Sequence, residues 1–155
     1  MKVLFYIVIG LLVIISVYFI GLSVSSRKQP DIGMTNGQLR ACPATPNCVS
    51  SEEPDASGYV RPLTVTTTTS DAWEKAKWAV VESGSVVVSE RDGYLHAHFV
   101  TILLRYVDDL ELRFDEKNQL IHIRSASRVG RSDFGANRVR VEMIRAAFVA
   151  ATVDD

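Results

Sequence analysis

The sequence predicts an α+β protein. We expect an N-terminal transmembrane helix and then a two-layer sandwich, in which one mainly antiparallel sheet carries two helices on one face. Three observations support this fold class. Residues 3–24 form a long uncharged apolar run, two later segments place apolar residues at helical spacing, and the segments between them alternate apolar and polar residues around turn signals. A sheet flanked by helices on one side buries both kinds of apolar face.

Residues 3–24 have the length of a membrane-spanning helix. The run contains 22 residues, and at about 1.5 Å per residue it crosses a hydrocarbon core of about 30 Å. A cleaved signal peptide is the alternative, because Ser23 and Ser25 flank Val24 as small residues flank a cleavage site. Against it, the run exceeds the usual apolar length of about 7–15 residues and only Lys2 precedes it. We assign residues 1–26 to a membrane anchor, with an uncleaved signal as a variant.

The two cysteines lie close together in the sequence CPATPNC. As a disulfide, Cys42 and Cys48 would close a small loop, which suits an oxidising compartment. Reduced structural thiols and metal or redox chemistry are the alternatives, and zinc lacks further ligands at a familiar spacing. Residues 27–58 are rich in Pro, Gly, Ser and charge, so we expect a tether followed by this stapled loop.

The charge balance excludes a dedicated nucleic-acid binder, since 17 basic and 18 acidic side chains give a formal charge of −1. The folded domain is expected at residues 59–150, with a tail at 151–155. It begins with a short strand at 60–66. A helix follows, with Asp71 as N-cap and Gly84 as the stop.

Two hairpins follow the first helix. A two-residue Asp92-Gly93 turn would place Val88 opposite Ala97 and Val86 opposite Phe99. In the second hairpin, a four-residue loop at 116–119 keeps the apolar side chains on one face. It pairs Leu112 with Ile123, Phe114 with Ile121, Glu111 with Arg124, and Arg113 with His122. A final helix is expected at 136–150, with Val141, Ile144 and Phe148 on its apolar stripe.

Residues 124–145 form the densest polar segment, with six arginines and two acids. Guanidinium groups suit planar contact to carboxylate or phosphate, and a turn before a helix leaves backbone N–H groups free to assist. An anionic ligand, such as a phosphate or a lipid headgroup, is therefore a candidate. The candidate ligand-binding residues are Arg124, Arg128, Ser132, Asp133, Asn137, Arg138 and Arg140.

An internal role is the alternative for the same segment. In this interpretation the arginines pair with the acidic strand residues Asp108, Asp109 and Glu111. Asp133 and Asn137 then cap the final helix.

Asp108 falls on the inward face of its strand, because it precedes Leu110 and Leu112 by steps of two. A buried carboxylate needs a cationic or hydrogen-bonding partner. We expect a structural ion pair with Arg128 or Arg138. The neighbouring Asp109 points to the opposite face, so the two acids cannot act together as a hydrolytic pair.

The remaining polar residues carry no recognisable catalytic pattern. His96, His98 and His122 fall on the polar sheet face, where a metal is conceivable but ordinary polar residues are the expectation, and we expect no metal or other cofactor. No serine lies in a nucleophile elbow, and phosphate-loop and dinucleotide fingerprints are absent from the sequence.

Three separated motifs resemble a bacterial and plastid family of unknown function. They are CPATPNCVSS at 42–51, DDLE at 108–111 and RSASRVGRSDFGANR at 124–138, and the resemblance spans about residues 40–149. It implies an exported or membrane-attached domain, hence an N-in topology, and transfers no catalytic residue. Arg131 stands where the family pattern suggests an aromatic or small residue.

We therefore expect a single-pass inner-membrane protein with its domain in the periplasm, or in the thylakoid lumen of a plastid. The leading hypothesis is a non-enzymatic module that binds or assembles a component of the cell envelope. A second hypothesis is a binder of lipid or anionic amphiphile, with a cavity between sheet and helices and Arg128, Arg138 and Arg140 at the headgroup. The third is an envelope hydrolase that uses the Arg/Ser/Asp loop. The expected partners are the membrane, through residues 3–24, and an envelope protein or lipid.

Overall fold

The computed structural model describes residues 1–66 and 68–153. Its helices are α1 (Lys2–Ser26), α2 (Thr69–Glu82) and α3 (Ala136–Val153). Its strands are β1 (Met34–Thr35), β2 (Gln38–Leu39), β3 (Cys48–Ser50), β4 (Leu63–Thr64), β5 (Val86–Arg91), β6 (Tyr94–Val100), β7 (Val107–Asp115) and β8 (Leu120–Ser127). The expected α+β fold with an N-terminal membrane-type helix is confirmed.

A six-stranded sheet forms the centre of the domain. Its strand order is β3-β8-β7-β6-β5, β4 also pairs with β8, and every strand pairing is antiparallel. Helices α2 and α3 cover one face, which we call the helix face. The core there includes Leu95, Leu110 and Leu112 from the strands, and Ala76 and Ile144 from the helices, all without solvent exposure.

The register of the second hairpin agrees with the prediction. Leu112 lies opposite Ile123 and Phe114 opposite Ile121, as the apolar pattern required. The first hairpin agrees near its turn, where Arg91 pairs with Tyr94, but a bulge lies between Val87 and Ser89.

The bulge corrects the predicted pairings of β5. Val87, not Val88, lies opposite Ala97, and Val86 lies opposite His98 instead of Phe99. An edge strand tolerates such an insertion because only one neighbour constrains its register. All six residues of β5 are exposed.

The second sheet face, which we call the loop face, is covered by the segment expected to be a tether. The β1–β2 hairpin lies over it, and the backbone N–H of Gly33 donates to Glu111 Oε1 at 2.8 Å. Glu52 Oε1 accepts from the Leu39 backbone N–H and from Arg113 Nε. Residues 33–50 thus belong to the folded domain, and β3 supplies one edge of its sheet.

The helix limits differ slightly from those expected. Thr68 is the N-cap of α2 and Asp71 lies in the first turn, where its charge still favours the helix N-terminus. Helix α3 runs through residues 151–153 of the expected tail, and residues 154–155 lie outside the described residues.

Helix α1 is long and apolar enough to cross a membrane, a property that an N-terminal signal sequence would share. Its last turn contacts the start of β7, where Ser26 Oγ accepts from the Val107 backbone N–H. The domain therefore begins directly at the end of the apolar helix.

The Cys42–Cys48 disulfide is present, as predicted, with the Cα atoms 5.7 Å apart. Because Cys48 is the first residue of β3, the bond ties the preceding loop to the sheet edge.

Reduction of this disulfide should lower the free energy of unfolding by about 2 kcal/mol, since the reduced unfolded chain regains the entropy of an open loop. Denaturant titration of the full-length protein in detergent, with and without reductant, measures this. A Cys42→Ala/Cys48→Ala variant should not respond to the reductant; an equal shift in that variant would contradict the assignment.

Candidate functional site

The arginines of the polar segment are distributed over both sheet faces. Three of them make buried or nearly buried ion pairs with strand β7. The pairs are Arg140 with Asp108 at 2.8 Å, Arg128 with Asp109 at 2.7 Å, and Arg124 with Glu111 at 2.8 Å. This arrangement is the internal alternative considered from the sequence.

Asp108 pairs with Arg140 and not with Arg128 or Arg138. Asp108 lies on the helix face, and the first turns of α3 bring Arg140 over it. The backbone at Ser127 is opposite Asp108, so the next residue, Arg128, projects to the loop face and meets Asp109. Arg138 instead donates to the carbonyl oxygens of Tyr59 and Ser57.

Asn137 joins the helix face to the disulfide loop. Its side-chain Nδ2 donates to the backbone oxygen of Asn47 and to Ser127 Oγ, and its Oδ1 accepts from Ser125 and Arg140. It has no solvent exposure. Asn137 is therefore an internal bridge between segments, whereas the sequence suggested a helix cap.

On the loop face, Asp109 holds a second network. Its carboxylate contacts His96 Nε2 at 2.8 Å and accepts two hydrogen bonds from Arg128. Burial opposes ionisation of Asp109, but the hydrogen bonds from His96 and Arg128 outweigh it and hold the pKa of Asp109 below its ordinary value. Arg128 also donates to the carbonyl oxygens of Ser26 and Arg27. One guanidinium thus connects the sheet to the end of α1, where a helix favours positive charge.

Glu111 is the third buried carboxylate and has no solvent exposure. It accepts hydrogen bonds from Gly33 N–H, the Tyr94 hydroxyl and Arg124. Burial and the adjacent Glu111 charge raise the pKa of Tyr94, which keeps the phenol protonated as a donor. The expected open polar face with three histidines is thus a covered layer. Across residues 1–66 and 68–153, no group of three or more His, Cys, Asp or Glu side chains could hold a metal ion.

Residues 132–137 form a compact turn that presents Phe134. Ser132 Oγ accepts from the Phe134 backbone N–H, and the Asp133 carboxylate accepts from the N–H groups of Gly135 and Asn137. Within this turn Phe134 has φ +55°, an uncommon conformation for an aromatic residue, and its side chain is 99% exposed. Phe134 was not among the residues predicted from the sequence, although an aromatic residue outside both helical and strand spacing was a visible signal.

A surface pocket of about 530 Å³ lies beside this turn. The disulfide loop forms one wall, and Glu53, the 56–58 segment and the start of α3 form the others. Of the candidate residues, only Asp133 and Arg138 line it. The polar segment and the disulfide loop therefore meet in space, which their separation in the sequence does not show.

The two segments that meet here also lie within one family match. A family model described as a protein of unknown function, DUF1499, matches residues 38–148. The chain belongs to this family. The matched residues include the disulfide, all three ion pairs and the pocket of this DUF1499 domain. Comparisons with curated proteins and with solved structures find no match.

The seven candidate ligand-binding residues do not converge on one anion site in this DUF1499 domain. Arg124 and Arg128 lie on the loop face, whereas Asn137 and Arg140 lie on the helix face. Ser132 and Asp133 shape the turn that carries Phe134. What the arrangement offers chemically is a rigid exposed aromatic side chain beside a pocket of mixed polar and apolar lining.

Arg140→Ala should lower the free energy of unfolding by about 3 kcal/mol or more, because Asp108 would remain buried and unpaired. Arg131→Ala in the same segment is the matched control. Arg131 is exposed, so its change should stay within about 0.5 kcal/mol. Denaturant unfolding of both variants measures the difference; equal, small effects would show that the ion pair does not support the fold.

Stability should decrease as the pH falls below about 6.5. Burial lowers the pKa of His98 and His122, so the unfolded chain takes up protons there before the native protein does. Below about pH 4, the lowered carboxylate pKa of Asp109 adds a further loss. His122→Gln should flatten the dependence between pH 6.5 and the lowered native pKa of this imidazole, as measured by urea unfolding at several pH values. An unchanged slope in this variant would contradict the assignment to His122.

Proposed function

We propose that this DUF1499 protein is a non-enzymatic, membrane-anchored binding module of the cell envelope. Phe134 and the adjacent pocket would contact a protein partner. The apolar helix α1 supports attachment to a membrane, and the Cys42–Cys48 disulfide supports a domain outside the cytoplasm, in the periplasm or an equivalent lumen.

The exposure and the backbone conformation of Phe134 are the main support for the proposal. An aromatic side chain that is 99% exposed gains nothing from burial within its own domain. Three hydrogen bonds within residues 132–137 nevertheless hold its backbone in the left-handed region. Backbone strain of this kind concentrates at functional sites. Rigid aromatic anchors beside pockets are typical of protein interfaces, because little conformational entropy is lost when they are buried.

The ion pairs argue against catalysis by the arginine segment. Asp108, Asp109 and Glu111 each have a guanidinium partner, so none of the three is free to exchange protons with a substrate. In the pocket, burial of Asp133 opposes its ionisation, but the backbone N–H groups of Asn137 and Gly135 hold its pKa below the ordinary value. A carboxylate kept ionised in this way is a poor general acid.

The packing also disfavours the lipid-binding hypothesis, which requires a cavity between the sheet and the helices. The space between sheet and helices is filled by core side chains, among them Leu95, Leu110 and Phe148. The three arginines expected at the headgroup have separate internal partners: Arg140 binds Asp108, Arg128 binds Asp109, and Arg138 binds backbone carbonyls. A protein partner at the exposed turn fits the geometry better.

Photo-crosslinking in the protein's own cells tests this function. A photoreactive phenylalanine analogue at Ala44, which lines the pocket, should give a discrete protein adduct. The adduct should fall at least tenfold with Phe134→Ala and persist with Val139→Ala, another exposed apolar residue of the same region. Both variants should unfold at the wild-type midpoint, because neither side chain is buried.

The controls separate the parts of the proposal. An adduct that persists in Phe134→Ala would remove Phe134 from the interface, and adducts to lipid alone would replace the protein partner with a membrane. Protease applied to the outer face of intact cytoplasmic membranes should digest the adduct. Full protection would contradict the proposed orientation.

A further inference from the structure

The loop that joins β6 to β7, residues 101–106, exposes a cluster of apolar side chains. Ile102 is 96% exposed and Leu103 is 88% exposed, and Leu104 beside them is also exposed. A contiguous exposed apolar patch is typical of a contact with protein or membrane. Ile102 and Leu103 are thus almost fully uncovered by the described residues, whereas Leu104 is 37% exposed.

The loop lies against the membrane-type helix. The residue that follows it, Val107, donates its backbone N–H to Ser26 Oγ at the end of α1. Burial raises the pKa of Tyr106, the last loop residue, and the phenol of Tyr18 in α1 adds to this shift. Tyr18 precedes Ser26 by eight residues, which is about 12 Å along a helix. The end of the loop therefore lies beside the last turns of the apolar helix.

The charges around the loop match a membrane surface. Arg105 follows the apolar tip, and Arg27 and Lys28 follow the apolar helix, and all three are exposed. Basic side chains at this depth reach the lipid phosphates while their aliphatic stems stay in the apolar zone. Because the apolar loop lies beside the end of α1, the loop and this helix end would enter the same leaflet of the bilayer.

We propose that loop 101–106 inserts Ile102, Leu103 and Leu104 into the lipid bilayer beside α1, as a second membrane contact. The inference rests on the proposed function in one respect, that α1 spans a membrane. The loop and the helix would together fix the orientation of the domain. The strands β6 and β7 would then stand away from the membrane, with the turn at residues 116–119 farthest from it.

The same orientation places the candidate binding turn near the membrane. The backbone N–H of Arg128, at the start of the 128–135 loop, donates to the carbonyl oxygen of Val107. This loop thus leaves the sheet at the same end as loop 101–106. A partner that contacts Phe134 would therefore be reached close to the bilayer surface.

Depth measurements on the full-length protein in vesicles test the insertion. The full-length protein would be placed in vesicles of phosphatidylcholine and phosphatidylglycerol. Each sample would carry a nitrobenzoxadiazole label on one introduced cysteine. Labelling without reductant keeps the native disulfide intact. With Leu103→Cys, the emission should shift to the blue, and doxyl-labelled lipids should quench at least half of it. Val153→Cys is the matched control, because Val153 is an exposed apolar residue at the other end of the domain.

A third label distinguishes this inference from the anchor itself. Val13→Cys reports the middle of α1 and should be quenched by lipids labelled deep in the acyl chain. If the label at position 13 is quenched and the label at 103 behaves like that at 153, the loop insertion is wrong and the anchor stands. If the label at position 13 is not quenched, the anchor and the insertion are both wrong.

Discussion

Strand β7 carries three carboxylates into the interior, and the fold depends on their neutralisation. Asp108 lies on the helix face, whereas Asp109 and Glu111 lie on the loop face. A buried carboxylate without a partner costs several kcal/mol, roughly the scale of the whole stability of a small domain. The three arginine partners come from β8, from the residue just after it and from α3. Ion pairing therefore specifies how these elements meet.

This requirement explains why the arginines of the segment richest in charge do not converge on one surface. Its arginines are concentrated there because β8 and α3 flank the acidic strand on two sides. In the same segment, the apolar residue Phe134 projects fully from a turn held by Ser132 and Asp133. Charged side chains hold the domain together here, and the exposed side chain of the segment's turn is aromatic.

Arg128 connects the ion pairs to the membrane-type helix. Its guanidinium binds Asp109 and also the carbonyl groups of Ser26, the last residue of α1, and of Arg27, which follows it. Because the sheet holds the end of α1 in this way, the domain has a defined orientation relative to this apolar helix. The apolar loop 101–106 lies at this same junction. The orientation of the domain relative to α1 is thus built into its fold.

Patterns that repeat over short distances were sufficient to predict much of this fold. The apolar run at 3–24, the two helices and the pairing of Leu112 with Ile123 follow from residue periods, and the Cys42–Cys48 bond follows from close spacing. The interior position of Asp108 followed from strand parity in the same way.

Such short-range patterns could not predict contacts between segments that are distant in the sequence. The choice of Arg140 over Arg128 or Arg138 depends on where α3 crosses the sheet, and the cover over Glu111 depends on Gly33, 78 residues away. The bulge in β5 has no periodic signal, because an edge strand can shift its register at little cost. The exposure of Phe134 likewise depends on how the turn between β8 and α3 closes. Sequence spacing determines which face of an element a residue occupies, but the packing of the elements determines what that face meets.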